Sequence, residues 1–167
     1  NTIELNNRNK PGDYIVDKSA FYKIGYGLYI VGANKENSLN GFISNSVFQV
    51  TASPAQFAVG CNKDNFTTEY IRSGNAFSIN VLSQNSPMDL ISLFGYKSGR
   101  EINKFEQVHH YAGETGAPLL KDSIVANIEC NLVDEINLGT HMLFIGTVVS
   151  SLVLDDNTIP LTYDYYR

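Results

Sequence analysis

Residues 40–51 read NGFISNSVFQVT, and this stretch decides the class of fold. Apolar and small polar residues mix as in a strand, and we expect one strand over 41–51. Ser44, Asn45 and Ser46 are consecutive, so polar groups lie on both faces of that strand. At least one of these polar groups then contacts something other than solvent, such as a flat heteroaromatic ring with polar edges. The alternative is an edge strand with a polar outer face.

The segments on either side extend a β-rich pattern over the rest of the chain. Further strands are predicted at 26–33, 57–61, 76–82, 124–133, 142–154 and 159–163. Two short helices are predicted, one over 66–73 with Asn65 as its N-cap and Gly74 just past its end, the other starting at Ser86-Pro87 and ending at Gly95. Because βαβ alternation and a GxGxxG motif are missing from the sequence, a Rossmann fold is excluded. The pattern predicts a mainly β, antiparallel barrel with a few short appended helices over residues 20–167, preceded by a polar arm over residues 1–19.

Composition narrows the function. The 167 residues carry a net charge of −5 with 43% hydrophobic and 17% charged residues, and an acidic chain without a basic stripe argues against a nucleic-acid partner. No apolar stretch is long enough to predict a membrane span. Cys61 and Cys130 are each isolated in an apolar stretch, which favours two core thiols in a reducing, cytoplasmic setting over one disulfide. The three histidines lack metal-ligand spacing, so no metal site is expected.

Two basic segments are candidate phosphate sites. In residues 61–68, CNKDNFTT, a strand turns into a helix beside Lys63 and Thr67, and free amides at a helix start favour phosphate. The alternative is a capped surface helix with a solvated lysine. In residues 97–105, KSGREINKF, Arg100 and Lys104 are spaced to share one helix face toward an anion. The alternative is a solvated basic turn paired with Glu101.

His141 opens the apolar run GTHMLFIG at residues 139–146. At such a position a histidine serves as an acid, as a hydrogen-bond donor to a nicotinamide, or as a satisfied residue at the edge of a core. The sequence leaves these three roles open.

Taken together, these segments resemble the flavin reductase-like family of FMN-binding split barrels. The matching stretches are YGLYIV (26–31), NGFISNSVFQVT (40–51), SINVLS (78–83), FGYKSGREINKF (94–105), ETGAPLL (114–120) and GTHMLFIGTVV (139–149). The SGR…KF segment and the closing PLTYDYY (160–166) are most similar to flavoredoxins and to the flavin domain of high-molecular-weight rubredoxins.

The resemblance implies a Greek-key split β-barrel that binds FMN as a homodimer. It places the flavin ring near Asn45, Ser46, Val47 and Phe48, and the phosphate near Asn62, Lys63 and Thr67, with Ser98, Arg100 and Lys104 also binding the cofactor. It places His141 and Tyr163 close to the flavin or nicotinamide.

The activity that this resemblance implies is an oxidoreductase in which flavin accepts a hydride from NAD(P)H and passes electrons to free flavin or to a protein acceptor. One alternative is an electron carrier with little NAD(P)H activity, supplied by a redox-protein donor. The other is a barrel that binds no flavin, or a different cofactor such as haem.

Overall fold

The computed structural model describes residues 14–167, so most of the predicted arm, residues 1–13, lies outside the described part. Nine strands carry the fold: β1 Tyr29–Lys35, β2 Ser38–Ser44, β3 Val47–Ala52, β4 Ala55–Asn62, β5 Ala76–Leu82, β6 His110–Ala112, β7 Pro118–Leu120, β8 Ile124–Asn137 and β9 His141–Val153. Three short helices accompany them: α1 Thr67–Gly74, α2 Met88–Gly95 and α3 Tyr163–Tyr166. Single 3₁₀ turns cover Lys18–Lys23 and Lys104–Gln107.

Seven strands form one antiparallel sheet in the order β2-β1-β5-β8-β9-β4-β3, and β6 and β7 pair separately. The two edge strands, β2 and β3, are joined by only Asn45 and Ser46. So short a link between opposite edges forces the sheet to curl until those edges meet. Contact follows at that point, where Ser44 Oγ at the end of β2 donates to Gly60 O on β4, the strand next to edge strand β3, at 3.4 Å. The predicted antiparallel barrel is confirmed.

Two hydrophobic clusters fill the interior. One lies inside the sheet around Phe77, Ile79 and Phe144. The other lies between the sheet and α2, around Ile30, Leu82, Phe94 and Phe105, and it includes Leu161 from the C-terminal segment. Burial in the second cluster fixes both α2 and the C-terminal segment against the same end of the barrel.

A polar network is buried beneath β7. The Asn80 amide donates to Ile30 O at 3.0 Å, while its oxygen accepts from Leu120 N at 2.9 Å and from Asn127 Nδ2 at 2.8 Å. Ser78 Oγ donates to Pro118 O at 2.5 Å. Because both ends of the Asn80 amide have partners, this network fastens the residue 118–120 segment to the sheet without leaving a desolvated group.

Four local predictions are wrong. The strand expected over 41–51 is two strands that break at Asn45, because the chain crosses there from one sheet edge to the other. Residues 159–163 form isolated bridges from Pro160 and Thr162 and then enter α3, rather than a strand.

The remaining two errors concern helix ends. Ser86 does not cap α2, because its hydroxyl donates instead to Ser123 O at 3.1 Å and Pro87 takes the cap position. At the end of α1, Asn75 rather than Gly74 adopts the left-handed conformation, with φ of 52°. Asparagine is one of the few residues besides glycine that tolerates this conformation.

Cys61 and Cys130 are free and buried, which confirms the prediction of two core thiols. Burial raises the pKa of Cys61 to about 11 and that of Cys130 to about 12. Both thiols therefore stay protonated and unreactive at neutral pH. Within residues 14–167, no helix has the length and apolar character needed to cross a bilayer.

Candidate functional site

A cleft of about 340 Å³ opens at the end of the barrel where the sheet edges meet. Five of the predicted site residues line it: Asn45, Ser46, Asn62, His141 and Tyr163. These positions are nearly 120 residues apart in the sequence, and the fold brings them to one cavity. The rest of the lining comes from Leu28, Phe42, Ile43, Ser44, Gly60, Asn65, Ile91, Gly95, Tyr96 and Tyr166.

Polar side chains occupy one side of the cleft. Asn62 on β4 is paired in register with His141 on β9. The two residues therefore lie side by side and form a polar edge of the cleft. His141 Nδ1 lies 2.8 Å from Thr140 Oγ1, which fixes the ring and leaves Nε2 as the other ring nitrogen. Next to them, Ser46 Oγ donates to Asn45 Oδ1 at 3.3 Å.

Apolar residues and glycine form the rest of the wall. Leu28, Ile43 and Ile91 provide a hydrophobic surface. Glycine at position 60 allows Ser46 to approach β4 closely, because a Cβ there would stand 3.0 Å from the Cβ of Ser46. An apolar floor with a few convergent polar groups is typical of a cofactor site.

A second, more polar pocket of about 260 Å³ continues from the cleft and shares Asn65, Gly95 and Tyr96 with it. Its other lining residues include Asn40, Ser98, Gly99 and Lys104, with Lys97 and Asp64. We call this cavity the side pocket. Ser98 and Lys104, both predicted cofactor ligands, therefore lie next to the five residues of the cleft.

Asn40 is 2% exposed and lies on the wall of the side pocket. Its amide nitrogen donates to Thr67 Oγ1 at 3.0 Å, but its Oδ1 has no hydrogen-bond partner within the described chain. Gly99 packs directly against it, since a Cβ at that position would fall 2.1 Å from Oδ1. A buried acceptor without a partner is rare in proteins, and here it borders a cavity.

Lys104 is a buried cation on the same wall. Its Nζ donates to Gly41 O at 2.9 Å and to Phe94 O at 3.2 Å, and an ammonium group has a third donor. Burial lowers the pKa of Lys104 to about 8, because desolvation penalises the charged form. The side chain thus links β2 to the end of α2 and adds positive potential to the side pocket.

The other predicted residues lie around these cavities without lining them. Val47 packs against the core and Phe48 is exposed on edge strand β3. Thr67 is fully buried as the partner of Asn40, and Lys63 is exposed, with its backbone N donating to Thr140 O at 3.0 Å.

Arg100 is held at the surface by two contacts. Its guanidinium lies 4.3 Å from the centre of the Phe66 ring and 3.6 Å from Glu69 Oε1. The alternative, in which this basic turn pairs with Glu101, is therefore not what the structure shows, because Arg100 pairs with Glu69 instead. The shared helix face of Arg100 and Lys104 is also wrong, because residues 99–102 form turns and Lys104 points inward from a 3₁₀ turn.

Several residues of the cleft could not be assigned to it from the sequence. Tyr96, which directly follows α2, and Tyr166 of α3 line the cleft, and their hydroxyl groups hydrogen-bond to each other. Leu28, Ile43 and Ile91 resemble ordinary core residues in sequence. Their role follows only from the way the sheet closes.

A larger cavity, about 490 Å³, lies on the opposite side of α2. It is lined by Leu90, Leu93 and Lys97 and by an exposed pair in which His109 Nδ1 lies 2.8 Å from Asp122 Oδ2. None of the predicted site residues reaches it, so we place the candidate site in the cleft and side pocket.

Comparison with known proteins identifies the family. Residues 21–167 match the flavin reductase like domain, which covers nearly all of the described chain. The chain belongs to the flavin reductase-like family. Membership confirms the predicted class of enzyme, a flavin oxidoreductase, and it confirms that flavin is the type of cofactor this family binds.

Two relatives have the same degree of similarity. A high molecular weight rubredoxin of Moorella thermoacetica is 43% identical over 152 residues, which are 91% of this chain and 66% of that protein. A ferric-chelate reductase (NAD(P)H) of Archaeoglobus fulgidus is also 43% identical over 152 residues, which are 91% of this chain and 89% of the reductase. This chain therefore spans just under two thirds of the first relative and most of the second.

A solved structure confirms the fold. Flavoredoxin from Methanosarcina acetivorans superimposes with a TM-score of 0.77 over 89% of this chain and 79% of that one, at 23% sequence identity. The predicted split-barrel fold, with its few appended helices, is confirmed.

Proposed function

We propose that this protein binds FMN in the cleft and uses it to carry electrons from NAD(P)H to free flavin or to a protein acceptor. The observation that carries the proposal is the continuity of two cavities with different character. The cleft has an apolar floor and one polar edge, and the side pocket has a buried cation and hydroxyl groups. A flavin ring and a phosphate-bearing side chain require those two environments in that order.

The residues present fit such a cofactor. Asn45, Ser46 and Asn62 offer amide and hydroxyl groups to the edge of a flat ring, which itself carries donors and acceptors. In the side pocket, the third donor of Lys104 and the hydroxyl of Ser98 suit a phosphate. FMN has both groups, and the small volume of the side pocket favours it over the larger FAD.

Bound FMN would supply the redox chemistry, taking a hydride from the nicotinamide and passing electrons onward. The protein contributes orientation, shielding and polarity. Leu28, Ile43 and Ile91 exclude water from one side of the cleft. His141, oriented through Thr140, presents Nε2 as a hydrogen-bonding group for the nicotinamide or the flavin edge.

The nicotinamide donor is supported by the ferric-chelate reductase (NAD(P)H), because this chain matches 89% of that relative at 43% identity. A second function, electron transfer with little NAD(P)H activity, is favoured by the equal similarity to a rubredoxin. Reduction kinetics separate the two.

The decisive experiment is gel filtration after incubation with FMN, FAD or riboflavin, followed by anaerobic addition of NADH or NADPH to the retained complex. We expect FMN to be retained and its visible absorbance to bleach within the time of mixing. Retained flavin that stays oxidised until dithionite is added would instead establish the electron carrier. If no flavin is retained and equilibrium titration shows no binding, the proposed function is overturned and a barrel without flavin remains.

A matched pair of glycine variants locates the binding site. Gly60→Ala places a methyl group 3.0 Å from Ser46 in the cleft, whereas Gly25→Ala meets nothing within 4 Å. We expect the first to weaken FMN binding by about tenfold, equivalent to about 1.4 kcal/mol, and the second to leave it unchanged. Equal affinities would place the flavin elsewhere.

We also propose that two copies associate. Exposed apolar side chains extend along residues 14–24, where Tyr14 is 89% and Ile15 80% exposed, and along β8 and β9, where Leu152 and Val153 are more than half exposed. Such surfaces commonly mark protein contacts. Light scattering at micromolar concentration tests whether the mass is twice 18.5 kDa.

Two further assignments are part of the proposal. The division into an arm over 1–19 and a flavin-binding domain over 20–167 is supported by the family match, which begins at residue 21. A cytoplasmic location is supported by two free, buried thiols.

A further inference from the structure

Two tyrosines meet across the mouth of the cleft. Tyr96 directly follows α2, and Tyr166 is part of α3 near the C-terminal end of the described chain. Their hydroxyl groups are hydrogen-bonded to each other, and both rings line the cleft. Tyr96 also lines the side pocket, so this bridge stands where the two cavities join.

The base of the C-terminal segment is firmly anchored. Leu161 is 3% exposed, its backbone N donates to Leu82 O at 2.8 Å, and its O accepts from Leu28 N at 3.1 Å. Tyr163 N donates to Tyr26 O at 2.9 Å. This part of the wall cannot move without breaking backbone hydrogen bonds next to the core.

The tip of the same segment has fewer buried contacts: the half-buried Tyr166 ring packs against the second hydrophobic cluster, while its hydroxyl group lies at the surface. α3 is a single turn without a buried residue, and Tyr96 is 70% exposed. Arg167 covers the ring of Tyr22, 4.1 Å from its centre, but this contact is also at the surface. Because water competes for exposed hydroxyl groups, the Tyr96–Tyr166 hydrogen bond can open while the base of the wall stays in place.

We propose that the Tyr96–Tyr166 pair is a latch that closes the mouth of the cleft over a bound flavin and slows its release. The proposal rests on the proposed function for its occupant. In this proposal, Tyr96 and Tyr166 determine whether the flavin stays bound through turnover. Opening the latch frees the passage to both cavities, and closing it holds the flavin between a fixed wall and a movable one.

Release kinetics test the latch directly. The protein is loaded with FMN, diluted, and followed by flavin fluorescence for Tyr166→Phe, Tyr96→Phe and the double variant. Each single variant is expected to release FMN about threefold to tenfold faster, as loss of one exposed hydrogen bond allows. The double variant should be no faster than either single one, because all three lack the same bond.

The control is Tyr165→Phe, on the same helical turn. Tyr165 is 62% exposed and does not line the cleft, so its release rate should equal that of the wild type. Unchanged release in Tyr166→Phe, or equal acceleration in Tyr165→Phe, overturns the latch. Failure of the wild-type protein to bind FMN overturns the proposed function instead.

A second measurement requires no flavin. In protein labelled with 3-fluorotyrosine, the ¹⁹F resonance of Tyr166 is assigned by its loss in Tyr166→Phe. We expect Tyr96→Phe to shift that resonance and Tyr165→Phe to leave it in place. A Tyr166 resonance that Tyr96→Phe does not move shows that the bridge is absent in solution and overturns the latch.

Discussion

Two groups of polar residues in this protein differ in how completely they are hydrogen-bonded. Beneath β7, Asn80 and Asn127 are 0% and 2% exposed, and both ends of the Asn80 amide have partners. At the side pocket, Asn40 is equally buried, yet its Oδ1 has no partner within the described residues. The completed network needs nothing more and stabilises the fold. The incomplete one lies in the wall of a cavity, where Gly99 packs against it.

Asn80→Ala should produce the largest effect, and it acts on stability. The substitution removes the Asn80 partner of Ile30 O and of Leu120 N and one of the two acceptors of Asn127 Nδ2. We expect a loss of about 3 kcal/mol in the free energy of unfolding. Urea unfolding measures it.

The matched substitution in the cleft, Asn45→Ala, should cost less than about 0.5 kcal/mol because its site is partly exposed. If the two variants lose equal stability, the distinction between the buried network beneath β7 and the polar residues of the two cavities is wrong. FMN affinity at low temperature should show the reverse order, with Asn45→Ala the weaker binder.

Lys104→Met tests a residue that combines the two properties, since its ammonium group has two buried carbonyl partners and also lines the side pocket. We expect a loss of about 1–2 kcal/mol at pH 7 from the two carbonyls left without a donor. The measurement is urea unfolding of both proteins between pH 7 and pH 9.

The difference in stability between the wild type and Lys104→Met should change with pH in a definite direction. Burial lowers the pKa of Lys104 to about 8, below its unfolded value of 10.5. Above pH 8 the unfolded state therefore binds more protons than the folded state, and the stability of the wild type rises with pH. Lys104→Met lacks this contribution, so its deficit should widen between pH 7 and pH 9. A constant difference would contradict the burial of the ammonium.

Glu69→Gln should give the smallest effect, because the groups involved are exposed. Glu69 lies 3.6 Å from Arg100 and 3.3 Å from Lys35, and it competes with an anion for both. Removing its charge should tighten FMN binding about twofold, within the range of an exposed ion pair.

Riboflavin, which lacks the phosphate, should bind equally well to Glu69→Gln and to the wild type. The matched variant Glu106→Gln removes one negative charge from an exposed residue outside both cavities. If Glu106→Gln tightens FMN binding as much, the effect is one of net charge and Arg100 is not a phosphate ligand.

Local pattern was sufficient for much of the fold. Residues 76–82 alternate clearly and are β5 with the predicted bounds, and most other strands were found within a few residues. The prediction of secondary structure failed where contacts between residues distant in the sequence determine the local conformation. Nothing local shows that Asn45 marks a crossing between sheet edges, or that Ser123 takes the hydroxyl of Ser86.

The candidate site shows the same limit. Asn45, Ser46, Asn62, His141 and Tyr163 could be named because polar residues beside apolar strands are unusual and because the family resemblance placed them. Tyr96 and Tyr166 could not, since their importance depends on two helices meeting at one point. The burial of Lys104 was equally invisible, because a lysine between polar neighbours is normally solvated.

The sheet order also means that the two halves of the cleft are synthesised at different times. β4 supplies Asn62 to the cleft and pairs in register with β9, in which His141 lies 79 positions later. At roughly 5–20 residues per second, the ribosome adds those positions over about 4–16 s. The first half of the cleft therefore lacks its partner strand while those 79 residues are added. The cleft can therefore receive its proposed flavin only after β9 has been made.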